Sequence, residues 1–439
     1  MAWAALGLAL LSPEAHAHGL WGHIHVTGWA VENMPDDELR QFLLEPEVFN
    51  ALLFGATFAD TGYQPFGGDA SRAYAEHAHW EPFVEDYVEW ILVNDPPPWD
   101  SLASRKRVAF LLGCASHGLQ DAIFDSLFLY QVEARDGAGQ DVTDPGTDGF
   151  LVLDEHIRFF PEQDIPMSTV LELFTALPEE VTEEVISDSV AIVMGGYIND
   201  GVGLTVAAAN GEKHADEMPW GRAHYLDAEV PGSLRAEIYP TLAYQQALWA
   251  RLHGTFSPDE ATIFAFPESP RRLRAGDAET TDSWVTLVFG AGLQYEGELT
   301  ELVDADGAPV AFSQASNRWG EGWTRLIRLL PEEDLVPGAW YTARLRAGAR
   351  LINGTETGEV YEVSFQVACD TAGDPACPEL GDIPEASIDG IPEAADTGQD
   401  TGQAEPRSCG CAVSRRVPGG LLLPLPLLVW GVVRRVSRR

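Results

Sequence analysis

Between Gly19 and about Gly254, apolar residues recur at spacings of three and four, most clearly over residues 84–93 and 108–130, and Gly, Pro and Asp interrupt the runs. That period predicts an all-α domain over residues 18–260. From about Ala275 the period changes to two. Residues 284–289, 323–329, 340–345 and 360–367 alternate in the manner of half-buried strands, with turn residues between them. A β-sandwich over residues 275–368 is expected.

Polar patterning takes over beyond that point. Residues 378–408 are rich in Pro, Gly, Asp and Glu and nearly free of large apolar side chains, so they bury too little surface to offset the entropy of ordering. They read as an acidic, disordered stalk. Residues 409–439 hold Cys409-Gly410-Cys411, an apolar run interrupted by Pro424 and Pro426, and a final Arg cluster. This three-part form resembles the MYXO-CTERM class of sorting tags, which implies processing machinery and retention at the outer cell surface. Within the β region, Leu335-Val336-Pro337-Gly338-Ala339-Trp340-Tyr341-Thr342 resembles the turn that feeds a late strand in bacterial Ig-like domains.

At the other end, an apolar stretch leads to Ala15-His16-Ala17, a small-x-small cleavage pattern, although the usual basic flank is missing. Residues 1–17 are expected to be a signal peptide, so export would leave His18 first. An exported chain permits disulfides, and Cys369 and Cys377 stand at a spacing that suits a short loop. Cys114 lies in an apolar helical run and reads as a buried small hydrophobe.

The charge balance narrows the partners. The chain has 68 acids against 27 bases and a formal charge of −41. Seven of the bases, Arg407, Arg415, Arg416, Arg434, Arg435, Arg438 and Arg439, lie in the final 33 residues, so the folded part is still more acidic. Such a surface disfavours nucleic acid, whose binding rests on Lys and Arg neutralising phosphates.

Candidate chemistry lies on the helical pattern. His117, Asp121 and Asp125 recur every four residues, which places them on one helical face able to converge on a metal. A satisfied core histidine with two solvated acids is the bland alternative. Two further clusters add weight: Gly55-Ala56-Thr57-Phe58-Ala59-Asp60, and His77-Ala78-His79-Trp80. His77 and His25 suit packing better than ligation. Tyr63, Phe66 and Trp80 suit either core packing or the walls of a headgroup site.

These pieces resemble the zinc-dependent phospholipase C family, and within it the catalytic domain of the glycosylphosphatidylinositol-specific phospholipase D type. The likeness is carried by Gly19-Leu20-x-x-His23 with Ala30 seven residues on, Gly55-Ala56-x-x-x-Asp60, His79-Trp80-x-Pro82-Phe83, Pro98-Trp99, and Ala109-Phe110-Leu111-x-Gly113-x-x-Ser116-His117-x-x-x-Asp121. It covers residues 18–160, and more loosely the chain on to 254. The resemblance implies one zinc held by Asp60, His79, His117 and Asp121, and a second held by His23, bridging Asp121 and the main chain of His18. His18 stands five residues before His23, the interval also found in related single-strand nucleases. Asp60 becomes the candidate catalytic residue, a general base or water orienter.

Two positions depart from the family pattern. Ala59 replaces the proline usual before the aspartate. The third site's histidine and glutamate ligands align with Asp125, Asp144 and Asp148, and such oxygen-only ligation favours calcium, magnesium or manganese over zinc. An ordinary acidic turn at residues 144–148 is the alternative, and His156 is a further ligand candidate. The sequence therefore predicts a multidomain chain, an all-α zinc phospholipase C/nuclease-like domain followed by an Ig-like β-sandwich, acting on phospholipids or lipid-linked phosphodiesters at a membrane surface. Phospholipase D-type cleavage, a nuclease, and a non-catalytic binding protein stabilised by metal are the alternatives.

Overall fold

The computed structural model describes residues 19–64, 67–157, 161–195, 202–267, 272–273, 284–295, 298–317, 322–367 and 386–388. The signal peptide, His18, Phe66, the Cys369–Cys377 pair, most of the stalk and the sorting tag lie outside the described residues.

The helical part is built around three elements. α1 (Leu20–Glu32) is buried along nearly its whole length, from Leu20 to Val31. α2 (Glu38–Leu43) leads into α3 (Pro46–Phe58), which packs against α6 (Leu102–Ile123). That crossing requires glycine: a Cβ at Gly113 would stand 2.0 Å from the Leu52 oxygen, and one at Gly55 would stand 2.3 Å from the Phe110 oxygen. With the two backbones that close, Ala56 of α3 comes within reach of His117 on α6. A 3₁₀ turn (Ala59–Tyr63), α4 (Asp69–Ala78) and α5 (Glu81–Asn94) follow α3.

α6 does not continue as one α-helix to residue 130. A π turn (Phe124–Phe128) intervenes before α7 (Leu129–Asp136), so Asp125 sits on a widened turn rather than in the four-residue register of His117 and Asp121. Residues 144–148, for which an acidic turn is one of two expectations, lie inside α8 (Gln140–Leu153), with Pro145 in the helix interior. The missing donor there is outweighed by packing. Gly149 lets α8 close on α11 (Val202–His214), where an added Cβ would meet the Gly211 nitrogen at 2.3 Å. α9 (Met167–Leu173), α10 (Glu183–Val193), α12 (Pro219–His224) and α13 (Ile238–Leu252) complete the domain.

The β part holds two four-stranded sheets, ordered β1-β3-β6-β5 and β2-β8-β7-β4. Their strands are β1 (Thr262–Phe266), β2 (Arg272–Leu273), β3 (Val285–Gln294), β4 (Thr300–Asp304), β5 (Phe312–Ser316), β6 (Trp323–Pro331), β7 (Trp340–Leu345) and β8 (Tyr361–Val367). All pairings are antiparallel except β2 with β8. Val285, Leu287 and Phe289 of one sheet share a core with Ala343, Leu345 and Phe365 of the other. On its opposite face, the first sheet joins the helical core through Phe264, Phe266, Trp284, Val288 and Leu326. β3 is therefore buried on both faces, and the sheet starts at Thr262 rather than near Ala275. β1 is apolar because it packs directly against the helices. β5, only partly buried and largely polar, lacks the alternation that would reveal it.

Part of the expected stalk is ordered. Ala386 and Ile388 are buried against the helical core. Between them Ser387 exchanges two hydrogen bonds with the Asn33 side chain, at 2.7 and 2.8 Å. Two small apolar side chains and one saturated peptide are enough to dock this short segment. Among the described residues no helix is long and apolar enough to cross a membrane.

Candidate metal centre

Four separate elements deliver the cluster. His23 lies on α1, Asp60 in the 3₁₀ turn after α3, His79 at the C-cap of α4, and His117 and Asp121 one turn apart on α6. All are buried or nearly so: His23 and His117 are fully inaccessible, and His79 and Asp121 each retain 6% exposure.

Each imidazole is held by its Nδ1. His117 donates to the Ala56 oxygen at 2.8 Å, His79 to the Ala75 oxygen at 2.7 Å, and His23 to Gln120 Oε1 at 2.9 Å. These bonds place a proton on Nδ1 and aim the Nε2 atoms at one point, the arrangement found in metal-binding histidines. The carboxylates meet them there. Asp121 Oδ1 is 3.1 Å from His23 Nε2, while its Oδ2 is 3.5 Å from His79 Nε2 and 3.3 Å from His117 Nε2. Asp60 Oδ1 lies 3.4 Å from His79 Nε2 and 3.8 Å from His117 Nε2; its Oδ2 lies 3.9 Å from His23 Nε2.

Within this cluster, the potential ligand atoms of His23, Asp60 and His117, and those of His79, His117 and Asp121, all lie within 4.8 Å of one another. His117 Nε2 and Asp121 Oδ1 are buried without a hydrogen bond. Buried polar atoms of that kind are expensive unless something satisfies them, so the donor set fits a divalent ion that prefers imidazole and carboxylate.

The electrostatics point the same way. Burial opposes charge on His23 and His79, but Asp121 and Asp60 outweigh it, raising His23 and lifting His79 to about 9. His117 goes the other way, pushed down by burial and by neighbouring His23. Burial would raise Asp121, yet His117 and His23 hold its carboxyl well below the usual range. Opposite charge is concentrated in a dry site.

A second acidic group lies beyond Asp121. Asp144, Asp148 and Asp125 are buried, and burial followed by the charges of Asp125, Asp121, Asp60 and Asp148 drives the Asp144 carboxyl well up. Asp144 Oδ1 makes no hydrogen bond. Asp148 is engaged elsewhere as well, accepting from the Trp21 and Gly22 nitrogens at the start of α1, at 3.2 and 2.9 Å. Asp125 accepts from Gln140 Nε2 at 3.4 Å. Among the described residues, these three carboxylates do not form a group with ligand atoms within 4.8 Å of one another, as the histidine cluster does.

Sequence reading missed several contributors. Gln120 holds His23 and is itself anchored to Thr27 Oγ1 at 3.0 Å. Its place beside Asp121 was the available signal. Glu237 is fully buried and raised by burial, Asp121 and Asp125, and no local pattern marks it. Of the other histidines, His25 donates to the Trp21 oxygen at 2.8 Å, and His77 packs edge-on against Phe83 and Phe174. His156 is partly buried near Asp154. Tyr63 and Trp80 both flank His79, with ring centroids 5.3 and 6.2 Å away.

Residues 22–124 match a family model described as zinc dependent phospholipase C. This stretch contains His23, Asp60, His79, His117 and Asp121, the residues that converge in space. Phosphatidylinositol-glycan-specific phospholipase D of Bos taurus is 31% identical over 129 residues, covering 28% of this chain and 15% of the bovine protein. The Homo sapiens protein of that name is 37% identical over 93 residues, covering 21% of this chain and 11% of its own length. The matched region is thus a small part of either relative. A solved structure of CopC from Methylosinus trichosporium OB3b covers 25% of this chain and 94% of its own, at 19% identity and a TM-score of 0.20, too slight a likeness to bear on the fold.

Proposed function

We propose that this chain is a zinc-dependent phosphodiesterase that hydrolyses phospholipids or lipid-linked phosphodiesters, with cleavage on the diacylglycerol side as in a phospholipase C. The observation that carries it is the convergence of three Nδ1-anchored histidines on the two carboxylates of Asp60 and Asp121.

Asp60, His79, His117 and Asp121 would hold one zinc. His23 and Asp121, with the main chain of His18, would hold the other. Asp121 suits a bridge because its two oxygens face different histidines, Oδ1 toward His23 and Oδ2 toward His79 and His117. Bound zinc supplies a water acidic enough to ionise near neutral pH and positive charge for the phosphoryl oxygens. The chain's own part is to fix the ligands, exclude bulk water, and orient the attacking water through Asp60, which reaches all three histidines. Tyr63 and Trp80, beside His79, supply aromatic walls for a headgroup.

Asp125, Asp144 and Asp148 would take a third ion. Their all-oxygen chemistry suits calcium, magnesium or manganese better than zinc, and a cation would relieve the buried Asp144. The two-sheet part is read as Ig-like on the Leu335–Thr342 run, where Leu335 is buried and the Tyr341 hydroxyl accepts from the Val336 nitrogen at 3.0 Å. Export, processing of the tag and retention at the cell surface complete the reading.

The full chain, incubated with phosphatidylcholine and separately with a glycosylphosphatidylinositol, should release diacylglycerol and a phosphorylated headgroup identified by mass spectrometry. Phosphatidic acid as product would shift the assignment to D-type cleavage. Bound zinc that stabilises the fold, with no phosphodiester hydrolysed, would leave a metal-stabilised binding protein instead.

A further inference from the structure

Strand β6 carries two buried arginines, and both reach into the helical domain. Arg328 donates from Nη1 to the Ser126 oxygen at 3.0 Å, in the π turn that also holds Asp125. Its guanidinium lies over the rings of Tyr130 and Trp284, 4.9 and 5.0 Å from their centroids. Arg325 pairs with Glu81 on the first turn of α5 and donates from Nη1 to the main-chain oxygen of His79 at 2.9 Å. Glu81 is buried and also accepts from the Tyr244 hydroxyl of α13 at 2.8 Å and from the Gly292 nitrogen of β3 at 3.1 Å.

These groups meet at Gly118, the neighbour of His117. A Cβ there would stand 1.9 Å from Arg325 Nη1 and 2.3 Å from the His79 oxygen. The guanidinium therefore lies against the α6 backbone, between the segments that carry His117 and His79. A domain serving only for display needs no buried charge at this point, and a buried guanidinium is heavily penalised unless its partners are fixed. Here the partners are a carboxylate and the backbone of a cluster histidine.

We propose that Arg325 is a positioning residue and that the β domain completes the metal centre. His79 sits at the end of α4, where the helix no longer constrains the chain that follows. Its ring is tied to Ala75, and its carbonyl is tied to Arg325. The two bonds together fix the direction in which Nε2 faces Asp60 and Asp121. This inference rests on reading the cluster as a metal site.

Two variants test it from opposite sides. Arg325→Lys keeps a positive charge against Glu81 but lacks the planar fork that also reaches the His79 oxygen. Gly118→Ala keeps Arg325 and Glu81 unchanged in sequence and forces the guanidinium and that oxygen aside. Zinc affinity by chelator competition, the visible spectrum of the cobalt-substituted protein and thermal melting are measured on each full-length variant, with kcat and KM on phosphatidylcholine. Both variants should remain folded, lose roughly 10- to 100-fold in affinity at one zinc site, change the cobalt spectrum, and lower kcat more than they raise KM. Wild-type zinc affinity and cobalt spectrum in Arg325→Lys, with only a lower melting temperature, would make Arg325 a structural strut and overturn the proposal. If the wild type binds zinc but cleaves nothing, the phosphodiesterase reading falls while the affinity comparison still decides the role of Arg325. A wild type that binds neither zinc nor cobalt overturns both.

Discussion

The imidazoles of His23 and His117 are stacked, with ring centroids 3.8 Å apart and planes inclined by 26°. Two cations do not stack at that distance in a dry site, so at least one ring stays neutral, consistent with the downward shift of His117. Divalent ions at the cluster would remove the conflict, because a ring that ligates through Nε2 stays neutral.

Zinc binding should accordingly release protons. In the metal-free protein His79 is raised to about 9, with Asp60 and Asp121 outweighing burial, so it is protonated at neutral pH and must lose that proton to ligate. Calorimetric titration at pH 7 in buffers of different ionisation enthalpy should show net proton release, shrinking as the pH is raised past that value. A buffer-independent enthalpy would contradict the assignment of His79.

Asp121→Asn should remove both zincs together and lower phosphodiester hydrolysis by roughly 10²–10⁴-fold, the equivalent of several kcal/mol of transition-state stabilisation. Elemental analysis alongside product formation checks this. Unchanged metal content would refute the bridge.

Gln120→Ala should leave the fold intact but free the His23 ring from its 2.9 Å anchor. Loss of a hydrogen bond that orients a ligand typically lowers metal affinity about 10- to 100-fold. The loss should be confined to the second zinc, read by stepwise chelation.

Glu81→Gln tests the domain junction through pH. Burial alone would raise the Glu81 carboxyl, but Arg325 and Tyr244 outweigh it and hold the group below its ordinary value of 4.5. A depressed carboxylate contributes its full stability above the unfolded value and loses it as the pH falls through the folded one. At neutral pH the variant should be less stable by about 3–5 kcal/mol, because Arg325 is left buried without its counter-charge. The gap should close as the pH falls from roughly 5 toward 3. Denaturant unfolding across that range is the measurement, and a constant gap would show that the ion pair is not the source.

The helical and β regions were legible because residues facing a core repeat with the period of their own backbone, 3.6 or two, and that signal is local. His23, Asp60, His79, His117 and Asp121 stood out for a different reason: residue types able to bind metal are few, and here they stand in short recognisable strings that the fold brings together. Other features were not local. The widening at Phe124–Phe128, the helix running through Pro145, the apolar β1 and the docking of Ala386–Ile388 each depend on a packing partner distant in sequence. Gln120 became an anchor only once α1 lay against α6.

By itself the sequence determined which residues were available to bind metal, and that helices precede strands. Only the tertiary structure decided that Arg325, one of two arginines in a mostly apolar strand, stands beside His79 across 246 residues. The reason is physical: a buried charge must be matched at contact distance, and the partner that matches it is chosen by how the sheet packs on the helices, which no local pattern encodes.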